Sequence, residues 1–278
     1  MNFWLWCYVI WQVNTVVFTG IWLLQKKTKN AGIVDLAWTF GTGIAGMILV
    51  GQASGPAVRK WIVGGIVLAW TLRLGIYLGV RIFSEEEDGR YADMRKKWGD
   101  AFEKRIFLFF QLQAIWTLLF ALPMYSAAMN DGPAWQWFDI AGILLFTVSL
   151  AGVTLADYQL FRFRSDESNR GRVCRVGLWK YSRHPNYFFE WLHWLAYVFV
   201  SFGSPWMIGT VAGALVMFWF LTKVTGIPIT EKRVSSSRKQ EFEIYQNEVN
   251  AFFPGPVRHS ADTGNAAAGQ LHSSNSEG

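Results

Sequence analysis

Residues Gly177 to Tyr197 read GLWKYSRHPNYFFEWLHWLAY, and the fold follows from how that stretch divides. Pro185 has a fixed φ and no backbone N–H to donate, which suits the first turn of a helix and disfavours any later one. The stretch therefore predicts a helix opening at Pro185, with Arg183 and His184 at its mouth. Along it Asn186, Glu190, His193 and Tyr197 recur at spacings of four, three and four residues, so they share one face. The remaining positions are Tyr, Phe, Trp, Leu and Ala, and a polar stripe on so apolar a segment faces something buried and polar. Two readings fit the stripe: a Glu–His pair that only ties helices together, or the wall of a functional cavity whose basic mouth receives an anion. Ionisable groups at membrane depth are costly to keep, and that cost favours the cavity.

Composition agrees with a membrane setting. Of 278 residues 52% are hydrophobic and only 17% charged, with 16 Trp and 22 Phe, the balance of a chain that spans a bilayer. The net charge of +6 is no sign of nucleic-acid binding, because the Lys and Arg residues sit in short loops between apolar runs. Seven stretches are long enough, at roughly 20 residues, to cross a hydrocarbon core: 3–24, 33–52, 62–82, 106–126, 137–157, 186–203 and 206–225. The loops on one side, with the segment from Lys223 onward, hold twenty-three Lys and Arg residues against two, Arg59 and Lys60, on the other. That bias places the N-terminus outside and the C-terminus in the cytoplasm. The first span has no basic n-region or cleavage site and reads as a retained anchor. Cys7 and Cys174 fall on opposite sides of the bilayer, so no disulfide framework is implied. The expected architecture is all-α: seven transmembrane helices and a C-terminal amphipathic helix in one membrane domain over 1–257, then a disordered tail over 258–278.

Along the chain, Gln12 and Asn14 read as interhelical hydrogen-bond formers. The run GTGIAG at Gly41 to Gly46 matches a dinucleotide-binding glycine pattern, but it lies inside a span with no βαβ context. Close helix contact is the reading for it and for Gly75 and Gly79. Asp35, at the start of the second span, reads either as a helix-terminal cap or as an acid for catalysis. Arg73, Tyr77 and Arg81 share one face, and Arg73 is deep enough to need a partner or a cavity. Arg90 and Tyr91 stand in an interfacial loop, placed to close over a ligand. Asp35, Arg73, Tyr77, Gln111, Asp157, Asn186, Glu190 and His193 all fall in the cytoplasmic half, which predicts one chamber open to that side. The basic loop from Phe161 to Lys180 prefers Arg to Lys, and a planar fork suits phosphate; anionic headgroups and a diphosphate ligand both answer that chemistry. The segment from Glu231 to Asn250 reads as an amphipathic helix with Phe242, Tyr245 and Val249 on one side, lying along the membrane surface as a lid.

Other chemistries lack their residues. Glu190 and His193 have a carboxylate-metal spacing, but only four histidines exist in the chain, two of them in the tail. That leaves too few ligands for a metal centre. There is no GxSxG elbow, and no internal repeat of the transporter kind.

At GLWKYSRHPNYFFE, with ADYQLFRFR (Ala156 to Arg164), GIPITEKR and EIYQNEVNAFFP, the sequence resembles the steroid 5-alpha reductase superfamily, closest to a mainly bacterial branch. The resemblance implies a seven-helix membrane enzyme that reduces a carbon–carbon double bond conjugated to a carbonyl in a hydrophobic lipid, with NADPH bound from the cytoplasm. It carries Asp157, Arg164 and Arg172 over as cofactor contacts and sets Asn186 and Glu190 around the nicotinamide. Tyr181, Arg183, His184, Tyr187, Glu231, Arg233 and Tyr245 complete the expected cofactor-binding set. Glu190, Tyr77 and Asp35 are the expected catalytic residues. Arg183 and His184 depart from the steroid enzymes, which carry small residues there. The pattern RHPxYxxE is also similar to isoprenylcysteine and phospholipid methyltransferases, which bind S-adenosylmethionine, although their Glu-Glu pair is matched here by Glu231 and Lys232.

Overall fold

The computed structural model describes residues 2–84, 87–133, 135–237 and 239–258. Every regular element among them is helical. The first six α-helices are α1 (Phe3–Thr28), α2 (Ile33–Gln52), α3 (Ala57–Ser84), α4 (Gly89–Trp98), α5 (Phe102–Ala128) and α6 (Trp137–Ser165). They are followed by α7 (Pro185–Val200), α8 (Met207–Trp219), α9 (Ile227–Ser237) and α10 (Lys239–Glu248). Local signals set the boundaries. Asn2 caps α1 by accepting from the Leu5 amide at 2.9 Å, Asp88 caps α4 through the Arg90 amide at 2.8 Å, and Pro185 is the first residue of α7.

Among the described residues six helical runs are long and apolar enough to cross a membrane: Phe3–Thr28, Ile33–Gln52, Ala57–Ser84, Gly89–Ala128, Trp137–Ser165 and Met207–Val234. Helix α7 is not among them. Its 16 residues rise about 24 Å at 1.5 Å each, against a hydrocarbon core of about 30 Å. The stretch expected to run through 203 stops earlier because Gly203 adopts φ +77° and Pro205 follows, a turn signal that sequence carries. The tail expected to be disordered lies, from His259 onward, outside the described residues.

The chain packs as two compact units. The first takes Met1–Phe146 and Trp194–Leu215. Its helices approach closely where the sequence offers small residues: Gly43 against the Thr71 side chain, Gly46 against Met124 and Val67, and Gly75 against the Phe40 ring. At Gly79, among the described residues, no neighbouring helix comes within 4 Å of where a Cβ would stand. Asn14 donates to Thr117 Oγ1 at 2.6 Å, the interhelical bond its place in α1 suggested. Gln111, grouped by sequence with the chamber, instead donates to Thr19 Oγ1 at 3.0 Å and ties α5 to α1. An aromatic core joins Trp38, Trp70, Phe120 and Trp194, with ring centroids 5.3 to 6.5 Å apart. Arg59 is buried in this unit. It forks onto Asp139 at 3.2 and 3.1 Å and donates to the carbonyls of Asn130, Gly132 and Pro133.

The second unit takes Thr147–His193 and Val216–Gly278. Here α6 and α7 are held by Ser149 Oγ donating to the Phe189 carbonyl at 2.7 Å and by Gly152 lying under the Phe189 ring. The loop after α6 folds back on it: Trp179 Nε1 donates to the Ala156 carbonyl at 2.9 Å, and the Leu178 amide to Gln159 Oε1. Phe242, Tyr245 and Val249 share one side as expected, but that side is buried against Val173 and Val234. Helix α10 is thus seated on protein rather than resting its apolar face on lipid.

Candidate functional site

Asp157 is buried in the last third of α6, and Asn186 lies in the first turn of α7. Asn186 Nδ2 donates to Asp157 Oδ1 at 3.1 Å, so two residues named for one site from separate motifs do meet. Glu190, half-buried, follows Asn186 by one turn on the same face. Arg164 stands seven residues beyond Asp157 on α6, two turns along the same side. Arg164, Arg170 and Arg172 are exposed and form no ion pair among the described residues. Guanidinium groups in that state are available to an anion.

The other arginines of the loop are engaged. Arg175 pairs with Glu248 and lies 5.3 Å from the Tyr245 ring centroid. Arg183, expected at the mouth, donates through Nε to Glu231 Oε1 at 2.8 Å and through Nη1 to the carbonyls of Gln246 and Val249 at 3.1 and 2.6 Å. Those two carbonyls end α10, where no intrahelical donor reaches them. His184 Nε2 shares Glu231 Oε1 at 3.1 Å, and Gln246 Nε2 donates to Glu231 Oε2 at 3.0 Å. Bonds to the main chain extend the grip: the Arg183 amide donates to the Asn250 carbonyl at 2.9 Å, the Ser182 hydroxyl to the Phe252 carbonyl at 2.9 Å, and the Gly255 amide to the Tyr181 carbonyl at 3.0 Å. The Tyr245 hydroxyl bonds the Trp179 carbonyl and reaches that of Ser182 at 3.2 Å. Tyr187 stacks on His184 at 5.3 Å and exchanges a hydrogen bond with Thr230 Oγ1 at 3.1 Å. Arg183, His184, Tyr187, Glu231 and Tyr245 therefore form a latch that fixes α9, α10 and the segment after them to the entry of α7. Tyr181 and Arg233 are exposed beside it.

Burial shapes the chemistry of this latch. It lowers the proton affinity of His184 below the usual imidazole range, against the hydrogen bond and charge of Glu231, which raise it; the Arg183 charge adds to the lowering. Burial likewise raises the Tyr245 phenol and the Cys174 thiol above their ordinary values, so neither is an activated nucleophile.

Asp35 and Tyr77 belong to the first unit. Asp35 sits in the first turn of α2 without capping it. Its carboxylate accepts from Arg90 Nη2 at 2.6 Å and from the Tyr91 hydroxyl at 2.7 Å. Arg90 and Tyr91 thus close on Asp35. Beside them is a cleft with room for about one water molecule, lined by Asn30, Asp35, Leu78, Arg81, Ile82 and Asp88. Tyr77 lies 5.4 Å from the Arg73 guanidinium by its ring centroid. Sequence reasoning missed Gln246 and Thr230, and named Arg90 and Tyr91 without pairing them to Asp35, because each joins its site across a chain turn that leaves no periodic signal.

Residues 21–249 match the model of a family described as "Protein of unknown function (DUF1295)". The chain belongs to the DUF1295 family. The match spans both units and ends with α10, so the latch and the Asp157–Asn186 pair lie within the part that defines the family. Among curated proteins, this DUF1295 chain is similar to a Schizosaccharomyces pombe protein described as "Uncharacterized protein C594.04c". The two are 25% identical over 272 residues, covering 84% of this chain and 75% of the yeast one. No solved structure is significantly similar to it.

Proposed function

We propose that this DUF1295 protein is a membrane reductase that uses NADPH to reduce a carbon–carbon double bond conjugated to a carbonyl in a lipid. Supporting the reading are the Asp157–Asn186 pair on the α6 face that continues to Arg164 and the exposed loop residues Arg170 and Arg172, which form no ion pair among the described residues. Exposed guanidinium groups are the donors that a nucleotide with three phosphates requires. The resemblance of the same motifs to the steroid 5-alpha reductase superfamily gives the reading its chemistry. When bound, NADPH supplies the hydride. Arg164, Arg170 and Arg172 bind phosphate oxygens, while Asn186 and Glu190 orient the carboxamide end. The Arg183–Glu231 latch holds the entry of α7, and with it Asn186, in place. Fixing the reactants in register is worth up to about 7–11 kcal/mol, and a positioned proton donor about 10²- to 10⁴-fold.

The same reading takes α7 as a seventh span, completed by the turn after Val200, and sets α9 and α10 at the cytoplasmic surface. Burial of Arg59 on Asp139 strengthens the charge bias: the poorer side keeps only Lys60 as an uncompensated loop charge.

The test is NADPH consumption by the purified protein with a panel of enone lipids. Glu190→Ala is expected to abolish turnover with folded yield intact. Loss of folding in that variant would return Glu190 to a structural pair, and methyl transfer from S-adenosylmethionine would replace the reductase reading.

A further inference from the structure

Over its last turns α6 presents two unlike faces. Val148, Ala151, Leu155, Tyr158 and Arg162 follow one another at three or four residues and are all exposed, Tyr158 by 54%. Val153, Ala156 and Asp157, on the other side, are buried. At 100° per residue Arg164 continues the face of Asp157, while Arg162 continues that of Leu155 and Tyr158. The two arginines therefore leave the helix about 160° apart.

The exposed stripe belongs to a helix long and apolar enough to cross a membrane, so lipid acyl chains cover it. Its residues change from aliphatic to Tyr and then to Arg, the order met where hydrocarbon gives way to headgroups. Arg162 lies 6.0 Å from the Tyr158 ring centroid, with Nη1 3.5 Å from the hydroxyl. It pairs with no carboxylate among the described residues. Phe161, 61% exposed, stands beside it.

We propose that Tyr158 and Arg162 form a headgroup site for an anionic phospholipid at the Ser165 end of α6, separate from the face that carries Arg164. The guanidinium fork donates to the phosphate, the phenol offers a second donor, and the ring covers the first carbons of the lipid. This site rests on the membrane-length helix and its exposed stripe, and stands whether or not the protein is a reductase.

The experiment offers the purified full-length protein equal amounts of phosphatidylglycerol and phosphatidylcholine in mild detergent and counts retained lipids by native mass spectrometry. Wild type is expected to prefer phosphatidylglycerol. Arg162→Gln should reduce that preference by about fivefold, the effect of one cationic side chain near an anionic surface. Arg164→Gln should leave it unchanged. The assignment is overturned by an Arg162→Gln protein that keeps the full preference, by an equal loss in Arg164→Gln, or by inorganic phosphate displacing the lipid, which would mark a free-phosphate site. Both arginines are exposed, so the variants are expected to fold, and thermal unfolding checks that they do.

Discussion

Asn186 Nδ2 and Asp157 Oδ1 lie 3.1 Å apart across 29 residues of chain, joining the first turn of α7 to the last third of α6. This contact fixes where the candidate cofactor face begins. Replacing Asn186 with Ala removes one donor from a buried carboxylate, a loss of about 1–3 kcal/mol. Thermal unfolding should record that loss, and NADPH affinity should fall further than stability alone explains. Asn186→Ala with unchanged affinity would place the nicotinamide elsewhere.

The latch sets a second expectation. Arg183 is only 11% exposed and Glu231 15%, so removing one partner strands the other, at a cost of about 3 kcal/mol. Arg183→Gln should cost more than Glu231→Gln, because Arg183 also serves the carbonyls of Gln246 and Val249. Limited proteolysis is the direct readout: cleavage within 249–258 should appear in Arg183→Gln well below its unfolding temperature. Protection equal to wild type would show that main-chain bonds alone hold the segment.

Acid should weaken the same region. His184 is held neutral in the fold by burial, whereas in the unfolded chain it takes a proton near pH 6.5. A folded value below the unfolded one means that the unfolded state binds more protons as pH falls. Stability from this residue is therefore whole above about pH 6.5 and declines toward the folded value. The unfolding midpoint of wild type should drop more steeply than that of His184→Gln between about pH 7 and pH 5. Parallel slopes would show that His184 takes up its proton equally readily in the folded and unfolded chains.

Arg59 and Asp139 make the strongest stability case outside the candidate site. Both side chains are 1% exposed, so Arg59→Met or Asp139→Asn should cost about 3–5 kcal/mol. The double variant Arg59→Met with Asp139→Leu should recover only part of that, because the carbonyls of Asn130, Gly132 and Pro133 lose their donor too. Full recovery in thermal unfolding would reduce the cluster to a simple ion pair.

Much of this architecture was legible because membrane helices announce themselves. Long apolar runs, Pro185 at a helix start and small residues at Gly43 and Gly46 each act locally, so sequence spacing carries them. Sequence position and motif resemblance both put Asp157 and Asn186 at one site, but their hydrogen bond to each other was not legible there. What was not legible depends on residues far apart in the chain. Arg59 looked like a loop charge, yet its partner lies 80 residues away. Arg183 and His184 looked like an anion mouth until α9 and α10 folded back and brought Glu231 and Gln246 to them. Arg90 and Tyr91 looked like a lid over a ligand, and what they cover is Asp35. In each case a charge read as open was consumed by a partner that only the tertiary fold supplies.

The central claim is most directly tested by ligand-dependent unfolding of the purified full-length protein, with NADPH and S-adenosylmethionine in parallel. NADPH at about a hundred times its dissociation constant should add about 2.7 kcal/mol and raise the midpoint by several degrees. Arg164→Gln and Arg172→Gln should shrink that rise, and S-adenosylmethionine should leave the midpoint where it was. Stabilisation by S-adenosylmethionine with none by NADPH would contradict the account.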